Sequence, residues 1–120
     1  MTAPGTAVVA KGTFYNVDKT GTGRLTLYRQ ADGRYSLRLS DFFVSPSVDL
    51  QLRLSILEDP HSSKEFMDAQ SELVATMDVT AGSLNYTVAA SVDPTKFRSI
   101  VIWCMLTSSA YAAATLVPVR

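Results

Sequence analysis

Phe97-Arg98-Ser99-Ile100-Val101-Ile102-Trp103-Cys104-Met105-Leu106 is the most apolar run of the chain and holds its only Trp and its only Cys. From Ser99 to Leu106 it is short, rich in β-branched and aromatic residues, and preceded by Asp93-Pro94. It therefore reads as a buried strand and not as a helix. Side chains alternate between the two faces of a strand. Val101, Trp103 and Met105 share one face, and Ile100, Ile102, Cys104 and Leu106 share the other. Both faces are apolar, which predicts a central strand covered on both sides. Cys104 lies on the more aliphatic face. A thiol buried among apolar groups behaves as a small hydrophobe, with a raised pKa and little reactivity. A reactive thiol needs an exposed or electropositive setting, which here has to come from residues distant in sequence.

Short alternating segments continue on both sides of this run. Ala7–Tyr15 reads as a first strand, with Gly12 as a bulge. Asn16 to Gly23 reads as a turn region in which Gly21 and Gly23 supply positive φ. Arg24–Arg29 and Arg34–Leu39 alternate cleanly, with Leu25, Leu27, Tyr35, Leu37 and Leu39 inward and the arginines on a solvated face. Gln30-Ala31-Asp32-Gly33 between them is a hairpin signal. Ser40 to Pro46 reads as a chain reversal, in which Asp41 bonds nearby backbone N–H groups and Phe42 or Phe43 plugs one end of the core. Val48 to Ser55 alternates again, with Val48, Leu50, Leu52 and Leu54 inward and Asp49, Gln51 and Arg53 outward.

Residues 57–71 form a polar connection holding the only His, His61, with a helical turn over Lys64–Gln70. Long connections of this kind are often functional or mobile. Glu72–Val79 reads as a strand, with a helix from Lys64 through Met77 as the competing reading. Leu84, Tyr86 and Val88 mark the next strand. Val92–Phe97 reads as a loop with one helical turn begun by Pro94, Ser108-Ser109 as a turn, and Ala110–Val117 as the last strand. Seven to nine short strands at regular spacing predict one all-β domain over residues 1–120, an antiparallel β-sandwich or partly closed barrel.

The chain has 120 residues, enough for a single core without disulfide or metal staples. Eleven basic residues balance eleven acidic ones and are scattered, which argues against nucleic acid as a partner. One Cys makes no internal disulfide. No stretch approaches the ~20 apolar residues of a membrane span. Met1-Thr2-Ala3-Pro4-Gly5 lacks the basic and apolar regions of a signal peptide, as a chain from which one had been removed would also do. A nucleophilic triad needs a His base, and His61 sits after Pro60 in a polar loop that reads as exposed. One His and one Cys far apart make no zinc signature. There is no Cys-x-x-Cys-His run and no phosphate-binding Gly loop. Asn85-Tyr86-Thr87 matches a glycosylation triplet, but it falls in a strand. Asp41 and Asp49 are a candidate carboxylate pair for binding, though calcium needs six or more oxygens.

Taken together the pattern resembles the DM-thirteen family, named as an electron-transfer domain and found beside DOMON modules in cell-surface and exported proteins. Gly12-Thr13-Phe14 resembles its opening strand, and Gly21 or Gly23 followed by Leu25 and Leu27 its second. Leu37-Arg38-Leu39-Ser40-Asp41-Phe42 resembles its Leu-x-Leu-x-Asp-Phe element, and Val48-Asp49-Leu50 with Leu52 and Leu54 the strand after it. Gly82, Tyr86 and Val88 resemble its Gly-x-x-x-Tyr-x-Val/Ile step. Phe97 to Cys104 resembles its Tyr/Phe-x-Ser-Val-x-Ile-Trp-Cys run, and Ala113 and Leu116 match its closing strand. The resemblance covers about residues 11–117.

It implies a redox accessory domain with Cys104 as the functional thiol and Trp103 shaping its pocket. The thiol would act either bare or by holding a prosthetic group such as haem, with a redox or cell-surface partner and an exported setting. Two departures stand out. Ser47-Val48-Asp49-Leu50 replaces the usual Gly-Pro-Asp-Leu, and Asp18 or Lys19 stands where many members carry a His, which removes an axial imidazole. Two other expectations remain. One is a non-catalytic binding module with Cys104 merely in the core. The other is a small enzyme using Asp41 and Asp49, which would need a cleft with perturbed carboxylates.

Overall fold

Alternating apolar residues become strands almost throughout. In the computed structural model, which describes residues 5–119, the strands are β1 (Ala7–Asn16), β2 (Gly21–Arg29), β3 (Tyr35–Val44), β4 (Leu50–Ser55), β5 (Ser71–Met77), β6 (Ala81–Thr87), β7 (Ser99–Cys104), β8 (Ser109–Thr115) and β9 (Val117–Pro118). One helix, α1 (Ser63–Asp68), joins β4 to β5, and a 3₁₀ turn over Pro94–Lys96 precedes β7. The strand order is β5-β4-β7-β8-β1-β2-β3-β6, with β9 on β1 and every pairing antiparallel.

β1 is the seam. Its first part pairs with β2, and Phe14–Asn16 pair with β8. The sheet folds along this seam into a nearly closed barrel, and the leucines of β2, β3 and β4 meet Ile100, Ile102 and Cys104 of β7 inside it. Phe42 meets Phe14 edge-on in the same core, with ring centroids 5.0 Å apart. β7 lies between β4 and β8 and is buried along its whole length, as the apolar run predicts. Its outer face is covered by α1, whose Phe66 ring lies 4.7 Å from Trp103. Ser62 caps that helix by accepting from the Glu65 N–H, and Glu65 reaches back to the His61 N–H.

The structure corrects several local expectations. The bulge of β1 falls between Val8 and Ala10, not at Gly12. Gly12 is needed for another reason: a Cβ there would run into the Thr115 carbonyl where β8 closes on β1. Gly23 has the positive φ expected of it, at +112°, but Gly21 lies within β2 against Ala112. Residues 40–44 do not reverse the chain. They extend β3 past an irregularity at Asp41, whose φ is 51°. The reason is that β2 and β6 both pair with β3 on either side of the irregularity. Val48 is exposed, because β4 begins only at Leu50. Met105 and Leu106 leave the core for the turn into β8. The Lys64–Met77 stretch is a short helix and then a strand, since Leu50–Ser55 offers its free edge to Ser71–Met77.

Candidate functional site at the end of strand β7

Cys104 is the last residue of β7, with Leu50 of β4 on one side and Ser109 of β8 on the other. Its side chain points into the main core, and the residue is 0% exposed. The layer above it is thin and polar. The thiol donates to the Val48 carbonyl at 3.6 Å, and the Ser47 hydroxyl lies 3.5 Å from the sulfur. Thr107, in the exposed turn into β8, and the Tyr111 hydroxyl act on the thiol from further off.

Tyr111 faces the same core as the sulfur because of an irregularity in β8. Ile102 pairs with Ala112 but Trp103 pairs with Ala110, so Tyr111 is the extra residue. Tyr111 and Ala112 then both face the core, although they are adjacent. Bulges re-aim side chains in this way. The roof is pinned by a hydrogen bond of 2.9 Å from the Met105 N–H to the Asp49 carbonyl. Asp49 and Ser108 both take positive φ, 56° and 50°, to make the two tight turns.

Burial by itself pushes the Cys104 thiol up. The bonds from the Thr107 hydroxyl, the Ser47 hydroxyl, the Thr107 N–H and the Tyr111 hydroxyl outweigh it and bring the thiol down to about 7. The depression comes from oriented dipoles and not from a cation. The expected aliphatic setting therefore holds below the sulfur and fails above it.

The family model described as Electron transfer DM13 matches residues 13–116. The chain belongs to this family. No curated protein and no solved structure matches the chain.

In this DM13 domain the other sequence candidates lie apart from the thiol. Trp103 is the neighbour of Cys104 in sequence but faces the opposite side of β7, with Phe66, Val101, Ala110 and Ala113. It does not shape the thiol's surroundings, because successive strand residues point to opposite faces. Asp41 does not bond local backbone. It forms an exposed ion pair with Arg24 at 2.7 Å across the β2–β3 irregularity. Asp49 contributes its carbonyl to the roof, and its carboxylate is exposed. The two carboxylates sit in separate surroundings, and among the described residues no group of three or more His, Cys, Asp and Glu is placed to hold a metal ion.

His61 lies beyond the Trp103 face. Its Nε2 is 2.9 Å from Asp59 Oδ2, its ring is 5.1 Å from that of Tyr15, and the Tyr15 hydroxyl donates to the Pro60 carbonyl at 2.8 Å. Burial and then the Asp59 carboxylate push the Tyr15 hydroxyl up. His61 and then Tyr15 hold Asp59 below the usual carboxylate range.

A haem does not fit around Cys104 as these residues stand. The sulfur has no open face, hydroxyls occupy its polar side, and the only imidazole of the chain is engaged with Asp59 and Tyr15. Sequence reading missed Ser47, Thr107 and Tyr111. Ser47 was visible as a departure from the family's Gly-Pro-Asp-Leu. Thr107 and Tyr111 carried no signal, since a turn and a bulge bring them to the sulfur.

Proposed function

We propose that this DM13 domain is a redox accessory domain in which the Cys104 thiolate is the electron-exchanging group, held in that state by Ser47, Thr107 and Tyr111. The observation that carries this reading is the polar cover over one sulfur, in which the Ser47 hydroxyl lies 3.5 Å away and Thr107 and Tyr111 add to the lowering of the thiol, a setting that a merely structural cysteine does not need. An exported or cell-surface setting goes with it on the family resemblance alone.

A lone thiolate has a reversible two-electron step available with a peroxide as oxidant. The sulfur attacks one peroxide oxygen, an S–O bond forms, the O–O bond breaks, and the departing hydroxide is protonated to water. The thiolate becomes a sulfenic acid. A partner dithiol returns the electrons. Its first sulfur forms a disulfide bond with Cys104 with loss of water. Its second displaces Cys104 as thiolate, which leaves the partner as a disulfide.

The full burial of Cys104 favours a second reading, a binding module with the thiol in its core. One experiment separates them: the rate of reaction with a small uncharged thiol reagent, scanned over pH in the native protein and in the unfolded chain. The expected midpoint is near 7 in the native protein, against ~8.5 for an ordinary thiol. Thr107→Val should raise it most, Ser47→Ala less and Tyr111→Phe least. A thiol that reacts only when the chain unfolds would leave the binding-module reading standing.

A further inference from the structure

The two segments that roof Cys104 turn large apolar side chains to solvent. Val48 is 61% exposed, Met105 52% and Leu106 64%. They are neighbours in space as well as chemistry: the Val48 carbonyl accepts from the thiol, and the Met105 N–H is bonded to Asp49, the residue after Val48. Polar side chains would serve a tight turn equally well. Large exposed apolar side chains gathered on two adjoining segments, by contrast, mark an interaction site.

The patch has an acidic side. Asp49 and Asp78 border a hollow of about 340 Å³ that Gln51, Thr76 and Met105 also line. Both carboxylates are in exposed residues, and among the described residues neither forms an ion pair.

We propose that Val48, Met105 and Leu106 are the docking face for the redox partner, and that this partner is a protein presenting an apolar centre with Lys or Arg beside it, aimed at Asp49 and Asp78. The kind of partner rests on the redox reading of Cys104; the place of docking does not. The charge decides between occupants. An anionic lipid surface is repelled by the two carboxylates. A second copy meeting the same patch about a two-fold axis brings like charges together. A basic surface is attracted. Docking here also engages the segments that cover the sulfur, so the partner that needs Cys104 is the one placed to move its roof.

The probe is a short synthetic peptide of Leu and Lys, compared with its Leu and Glu counterpart. Binding is read from backbone amide shifts of the full chain, which does not depend on thiol reactivity. The Lys peptide should shift residues 47–51, 76–78 and 104–108. Its binding should weaken about tenfold in a Met105→Ser, Leu106→Ser double variant and roughly threefold in Asp49→Asn, Asp78→Asn or on raising the salt. In the Asp78→Asn variant, which leaves the roof residues as they are, the small uncharged reagent should react with Cys104 as in the parent chain. Equal binding of the Glu peptide, shifts elsewhere, no binding, or concentration-dependent shifts of the same residues without peptide would overturn the docking face. A silent thiol with the peptide still bound at this site would remove Cys104 as the redox centre and leave the docking face in place.

Discussion

Two clusters of titratable groups lie on opposite sides of β7, and the same physics acts on them with opposite results. On the inner side, Cys104 has no exposed surface and no charged neighbour contributing to its shift, and its thiol donates to the Val48 carbonyl, yet hydroxyl and N–H donors prevail and bring the thiol down to about 7. On the outer side, Tyr15, Asp59 and His61 look more like catalytic machinery. There burial and a carboxylate keep the Tyr15 hydroxyl neutral, and Asp59 is held ionised by its two partners. An acid is activated when its neighbours donate to the charged form, and quietened when they accept from the neutral one. The cluster richer in ionisable residues is thus the quieter of the two.

The separation of the sides can be broken most directly at Trp103. It fills the outer face against Phe66, so Trp103→Ala should cost about 3–5 kcal/mol of unfolding free energy in denaturant. The thiol midpoint should stay where it is. If the alanine variant does not fold, Trp103→Phe provides the thiol measurement. A midpoint that moves with Trp103 would mean that the two sides are coupled through the strand.

The pH dependence of stability sharpens the comparison further. The Cys104 thiol is lowered on folding, from ~8.5 in the unfolded chain to about 7. Its contribution is therefore fully present above about pH 8.5 and is lost as the pH falls through 7. Thermal or denaturant unfolding should show stability rising by about 1–2 kcal/mol across that interval, the lower figure reflecting the thin roof over the sulfur. Cys104→Ser should flatten the rise. Tyr15 has the opposite sign. Its hydroxyl is raised on folding, so its contribution is present below the ordinary tyrosine value of about 10 and is lost at higher pH. A flat curve between 7 and 8.5 in the parent chain would show that the roof donors do not hold a thiolate.

The smallest effect is expected at His61. Its contact with Asp59 is exposed on both sides, and surface pairs of this kind contribute little. His61→Ala should return the Asp59 carboxyl toward the usual carboxylate range in an NMR titration, because that contact is the largest cause of its lowering. The rate and midpoint of Cys104 should not change. Any change in the thiol would join the two clusters into one site.

Most of the architecture was legible in the chain. Leu25 and Leu27, Leu37 and Leu39, and Leu50, Leu52 and Leu54 alternate with polar residues and all point into the core. Asp32-Gly33 marks a hairpin that forms, with Gly33 at φ +88° and Asp32 accepting from the Arg34 N–H. These features are local, set by side-chain alternation and turn chemistry, and they survive any tertiary arrangement that buries one face. The misreadings fall where strands meet. Asp41 looked like a turn residue because the pairings that carry β3 past it, an irregular continuation of the β2 hairpin and the distant β6, leave no mark in the sequence around it. Gly12 looked like a bulge because nothing near it in sequence shows the approach of Thr115.

The run from Ser99 to Leu106 determined by itself that there would be a buried central strand with a thiol on one face and Trp103 on the other, while the structure ends that strand at Cys104. It also carried the clearest part of the family pattern. Only the tertiary structure decided what surrounds that thiol. Ser47 comes from the β3–β4 connection, Thr107 from a turn, and Tyr111 from a β8 residue re-aimed by a bulge. A pKa is set by groups within a few ångströms, and a sheet assembles those groups from positions that sequence spacing does not relate.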